Sequence, residues 1–129
     1  VFRGEILKQD RWQEATKICY QMRARPLFAR GKYKETISQL DRCLSIVPDF
    51  RPALNLRGRV YAMLGQYKKA ETDFNRVITL YPNTSQGYSN LGFIYLLRGE
   101  TDKATIYLTK ALSLSPDDKK VRETLKGLR

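Results

Sequence analysis

The sequence predicts an all-α chain: three stacked helix-turn-helix units with a further helix at each end. Three observations carry this. Pro48, Pro82 and Pro116 recur every 34 residues, and so do Gly31, Gly65 and Gly99. Between these markers the chain reads as two helical patterns per copy, one on each side of its glycine. Finally, small residues hold fixed columns: Ala24, Gly58 and Gly92 in the first helices, and Thr36, Ala70 and Ala104 in the second.

Residues 5–16 read as a helix running into the first unit, and Trp12 is expected to pack on Ala15, Cys19 or that unit. The first copy spans 17–50. Pro26 lies inside its first helix, where a missing N–H should kink the axis. The middle copy, 51–84, divides into helices at about 51–64 and 67–80, and Gly65 suits the left-handed residue just past a helix end. Pro-Asp or Pro-Asn at the other junction stops one helix and offers a short polar side chain to cap the next.

The third copy, 85–118, contains the run Leu91 to Leu97, which by hydropathy alone is a strand, a membrane piece or a helix. Gly92 decides for a helix. A mid-helix glycine costs roughly 1 kcal/mol against alanine, and that loss is offset where small residues let two helices pack closely. Lys119 to Arg129 places Val121, Leu125 and Leu128 on one face among charges, as a terminal capping helix should.

These residues resemble the tetratricopeptide repeat. Leu54, Gly58, Tyr61, Gly65, Tyr67, Ala70, Phe74 and Pro82 fit its pattern, as do Tyr88, Leu91, Gly92, Tyr95, Gly99, Ala104, Leu108, Ala111 and Pro116. Tyr20, Ala24, Leu27, Gly31, Tyr33, Leu40 and Pro48 agree in the first copy, where Arg23 replaces the common leucine and Thr36 the common alanine. The resemblance implies a right-handed superhelix in a single domain over residues 1–129: an N-terminal helix at 1–16, repeats at 17–50, 51–84 and 85–118, and a capping helix at 119–129.

It also implies where a ligand would sit. First helices line the concave side of such an array and bind an extended or helical segment of a partner protein. The groove-facing columns then hold Ile18, Pro52 and Gln86; Gln21, Asn55 and Ser89; Met22, Leu56 and Asn90; Arg25, Arg59 and Phe93; and Phe28, Ala62 and Leu96, of which Gln21, Arg25, Asn55, Arg59, Gln86, Ser89, Asn90 and Phe93 are the candidate ligand contacts. Arg25 and Arg59 share a column on adjacent first helices, about 8 to 10 Å apart at the backbone. Two cations that close invite an anion, so an acidic segment is expected; the plain alternative is that both snorkel or pair with nearby carboxylates.

The family's carboxylate clamp for chaperone C-termini is not met, because its places hold Gln21, Arg25, Leu56, Gln86 and Asn90. Sliding by one repeat recovers Asn90 and Lys120 but puts Asn55, Arg59 and Thr124 at the rest.

Composition bounds the remaining readings. Net charge is +11, with 10 basic and 6 acidic residues in 1–50 but 3 and 4 in 85–118. Such a field favours anionic partners, and a basic surface for nucleic acid or anionic membrane is the alternative function. Exposed end repeats offer self-association as a third reading. The chain has no histidine, and its two cysteines, Cys19 and Cys43, lack metal-site spacing, so no metal or cofactor is expected. Two buried thiols or one disulfide both fit. No paired carboxylates, phosphate loop or nucleophile motif is present, so no catalytic residue is expected and the chain is not read as an enzyme. No apolar run reaches the roughly 20 residues of a membrane span. A cytoplasmic location is expected, with a removed signal or anchor as the alternative, since the chain begins at Val1.

Overall fold

The structure, a computed structural model, describes residues 11–128. Seven helices and no strand are present among them. A first helix, α1, is described from residue 11, passes through a π-helical turn at Cys19–Ala24 and ends as Arg25–Ala29. Then follow α2 (Tyr33–Ile46), α3 (Arg51–Met63), α4 (Tyr67–Leu80), α5 (Ser85–Leu97), α6 (Thr101–Leu114) and α7 (Lys119–Gly127). Among the described residues no helix is long and apolar enough to cross a membrane. The chain falls into two compact units, Val1–Val60 and Tyr61–Arg129.

The turns inside the hairpins repeat one design. Gly31, Gly65 and Gly99 have φ of 75°, 76° and 77°, the left-handed region that a side chain disfavours. That conformation lets the next N–H reach back five residues. Lys32 donates to the Leu27 carbonyl at 3.0 Å, Gln66 to Tyr61 at 2.8 Å and Glu100 to Tyr95 at 2.8 Å, which satisfies carbonyls that a helix end would otherwise orphan.

The junctions between hairpins differ from expectation. The residue preceding each first helix stands two past the proline, not one: Phe50, Thr84 and Asp118. Asp118 caps α7 with its side chain, its Oδ1 accepting from the Val121 N–H at 3.1 Å. Thr84 holds the equivalent place before α5 without a side-chain bond.

Pro26 produces a widened turn. With no N–H at Pro26, the Met22 carbonyl loses its usual α-helical donor. The backbone instead shifts to longer bonds, and the Arg25 N–H reaches the Tyr20 carbonyl, five residues back. The expected disturbance is therefore a π-helical turn immediately before the proline.

In the first unit the buried side chains include Thr16, Ala24, Thr36, Leu40, Cys43, Ala53 and Val60. Tyr20 packs edge-on against Phe50, with ring centroids 5.9 Å apart, and Asp41 of α2 holds Arg57 of α3 at 2.9 Å. Both cysteines are free and buried. Cys19 donates its thiol hydrogen to the Gln39 carbonyl at 3.5 Å, and burial, followed by the neighbouring Cys19 thiol, pushes Cys43 up to about 12. Trp12 departs from expectation: it is 56% exposed, and its carbonyl accepts a bond from the buried Thr16 hydroxyl at 2.7 Å. The part of the predicted 5–16 helix before residue 11 lies outside the described residues.

The second unit is centred on α5. Leu91, Ile94 and Tyr95 pack with Ala70 and Phe74 of α4 and Ala104 of α6. Gly92 answers for its place in a helix, because a Cβ there would overlap Leu108 of α6. Leu108, Ala111 and Val121 form a second cluster, joined by Leu125 and Leu128, so α7 covers the end of α6 as its apolar stripe predicts. Glu71 of α4 accepts from the Tyr95 hydroxyl at 3.0 Å and from Arg98 at 2.6 Å, tying α4 to the C-terminal end of the apolar helix.

Candidate functional site

In the first unit the site residues are Gln21 and Arg25 on α1 and Asn55 and Arg59 on α3. Their local placement follows from helix periodicity: residues four apart share a face, so Gln21 meets Arg25 and Asn55 precedes Arg59 by one turn. Arg25 donates from Nη1 to Gln21 Oε1 at 3.0 Å. The Arg59 guanidinium lies over the Phe28 ring, 5.4 Å from its centroid. Phe28 in turn leans on Tyr33 at 5.9 Å. Both arginines are exposed, and neither enters an ion pair among the described residues.

Their partners are thus a neutral amide and an aromatic face, which orient a guanidinium without neutralising it. Each side chain keeps its charge and several donors for something else. Asn55 is 7% exposed, and its buried Oδ1 has no hydrogen-bond partner. An orphaned amide oxygen of this kind is costly and is relieved when a donor reaches it.

In the second unit the site residues are Gln86, Ser89, Asn90 and Phe93, all on α5. Gln86 is exposed, while Ser89 is buried and donates to the Gln86 carbonyl at 3.1 Å. Asn90 carries a buried Nδ2 without a partner. Phe93 packs beside the Leu108–Val121 cluster, and Lys120 of α7 sets its ammonium 4.7 Å from the ring centroid. Lys119, Lys120, Glu123 and Thr124 line an open hollow of about 640 Å³. What α5 and α7 present together is an aromatic face roofed by a cation, with an amide donor one turn away.

Two contacts were not read from sequence: Phe28 under Arg59 and Lys120 over Phe93. The 34-residue columns place residues in rows along the array, whereas these contacts run across rows. No local sequence signal pairs them, since Phe28 and Phe93 stand 31 and 27 residues from their cations and on other helices. Other lysines have similar partners, since Lys69, Lys103 and Lys110 lie 5.6, 5.6 and 5.9 Å from the ring centroids of Tyr61, Tyr95 and Tyr88. Those rings are engaged by the protein's own cations. Among the described residues no group of three or more cysteine, aspartate or glutamate side chains converges to hold a metal ion.

Comparison with known proteins places this fold among its relatives. The family profile described as tetratricopeptide repeat matches residues 49–117. No curated protein matches the chain in sequence. Solved structures do: the first TPR of Spaghetti (RPAP3), bound to the HSP90 peptide SRMEEVD, is 20% identical with a TM-score of 0.81, over 88% of this chain and 89% of that one. A mutant O-GlcNAc transferase of Thermobaculum terrenum is 26% identical with a TM-score of 0.83, over 92% of this chain but 22% of that one. MamA from Desulfovibrio magneticus RS-1 is 26% identical with a TM-score of 0.78, over 88% and 63%.

Proposed function

This chain belongs to the tetratricopeptide repeat family, and from that premise we propose that it is a protein-interaction module that holds an extended or helical, acidic segment of a partner protein. The observation that carries the acidic preference is the state of Arg25 and Arg59. Both are exposed, both are oriented by uncharged neighbours, and neither meets a carboxylate among the described residues. A ligand carboxylate supplies what they lack, and it gains a charge-assisted pair of the strong kind. In the first unit the unpartnered Asn55 oxygen suits a peptide N–H. In the second unit Asn90 and Phe93 offer an amide donor and an apolar face to the same kind of ligand, with Gln86 and Ser89 at their edge. The structure of Spaghetti (RPAP3) with an HSP90 peptide illustrates a related fold holding a peptide that contains glutamates and an aspartate.

The test is capture of the native partner by the intact chain, by Arg25→Glu with Arg59→Glu, and by Asn55→Ala. The charge reversal should lower affinity at least tenfold, and Asn55→Ala should lower it by a smaller factor. If the favoured ligand is nucleic acid or anionic lipid, binding weakens by orders of magnitude between low and moderate salt and ignores both variants, and the peptide reading falls.

A further inference from the structure

Helices α1 and α2 border an open hollow of about 460 Å³ whose lining includes Ile18 of the groove columns but none of Gln21, Arg25, Asn55 and Arg59. Ile18, Cys19 and Arg23 line it from α1, and Arg42 and Ile46 from α2. Ile18 and Ile46 are 51% and 41% exposed, and Arg23 and Arg42 are exposed without an ion pair among the described residues. A single exposed isoleucine is ordinary, but two apolar walls flanked by two unneutralised cations have the composition of an incomplete helix–helix contact.

The same unit contains the completed version. Arg57 stands 34 residues after Arg23, and Ala53 stands 34 after Cys19. Ala53 is fully buried, and Arg57 is held by Asp41 of α2 at 2.9 Å. One repeat along, then, this column's arginine takes a carboxylate from a neighbouring helix. We propose that the α1–α2 hollow is a docking surface for an acidic amphipathic helix of a partner protein, whose apolar ridge seats between Ile18 and Ile46 and whose carboxylates pair with Arg23 and Arg42. Charge selects this occupant over a second copy of the chain. Residues 11–60 carry 11 basic and 4 acidic residues, so a symmetric pair would press four arginines together.

Two synthetic 18-residue helices test this, each with a leucine stripe flanked by glutamate in one and lysine in the other, titrated against the whole chain at physiological salt by fluorescence anisotropy. The glutamate helix should bind at least tenfold more tightly than the lysine helix. Arg23→Glu with Arg42→Glu should remove that advantage, Arg23→Gln with Arg42→Gln should reduce it, and Ile18→Asp should weaken both helices. All these positions are exposed, so the fold is retained, with circular dichroism as the check. The loss caused by the Arg23 and Arg42 reversals should persist in an Arg25→Glu, Arg59→Glu background, which separates this surface from the proposed peptide groove. Equal affinity for the two helices, absence of binding up to about 1 mM, binding indifferent to the Arg23 and Arg42 variants, or sedimentation showing the chain paired through this face would each overturn the proposal.

Discussion

A Cβ added to Gly92 would stand 2.5 Å from Cγ of Leu108 and 3.3 Å from its backbone nitrogen. Helices α5 and α6 therefore touch backbone to side chain at this point. Gly92→Ala gains about 1 kcal/mol of helix propensity but forces α6 outward at a cost of roughly 1 to 3 kcal/mol. A net loss of up to about 2 kcal/mol is expected in urea titration. Combined with Leu108→Ala, the two changes should cost less than their sum, because each makes room for the other. A stabilised Gly92→Ala protein would mean the crossing is not close.

Gly65 and Gly127 make a contrast that isolates backbone from packing. Neither has an atom within 4 Å of an added Cβ, but Gly65 sits at φ +76 while Gly127 is helical. Gly65→Ala should lower stability by about 1 to 2 kcal/mol through left-handed strain alone. Gly127→Ala should raise it by up to about 1 kcal/mol. Thermal unfolding of the two variants checks both signs.

Glu71→Gln removes the charge that holds Tyr95 and Arg98 together. Both bonds are lost or weakened at a partly buried site, and a loss of about 1 to 2 kcal/mol is expected. Tyr95→Phe removes one bond of the pair and should cost less. A double-mutant cycle should return a coupling clearly above zero; additive losses would show that Glu71 acts on each partner separately.

Alkaline pH should weaken the fold through Cys43 and Tyr95. Cys43 is raised from 9.0 to about 12 by burial and then by the Cys19 thiol, and Tyr95 is raised by burial and then by Glu71. The folded state keeps protons that the unfolded chain gives up, so this contribution is whole below pH 9 and is lost as pH climbs towards 12. Urea midpoints from pH 8 to 11 should fall, and Cys43→Ala should make that fall shallower. A slope identical in the variant would remove Cys43 from the account.

The hairpins were legible because their determinants are local and repeated: a glycine that must turn left, a proline that must end a helix, a small residue that must admit a neighbour. Asp118, Trp12 and Pro26 show where such reading stops. Asp118 caps and Thr84 does not, although both hold the same column and both can accept a hydrogen bond. Trp12 is 56% exposed, and its hydrophobicity alone did not say which surface, if any, would cover it. At Pro26 the disturbance was foreseen but not its form, since widening spreads the lost bond over a whole turn. In the candidate site, Arg25 and Arg59 were found from their shared column. Their uncharged partners, Gln21 and Phe28, depend on side-chain rotamers that periodicity does not encode.

The turns at Gly31, Gly65 and Gly99 differ so little, from 75° to 77°, that they are interchangeable parts. A gene that duplicated or deleted one such block would create no junction the protein had not already solved. Growth and shortening by whole modules thus lie within easy mutational reach, and each added module would bring one more row of side chains on which recognition could be tuned.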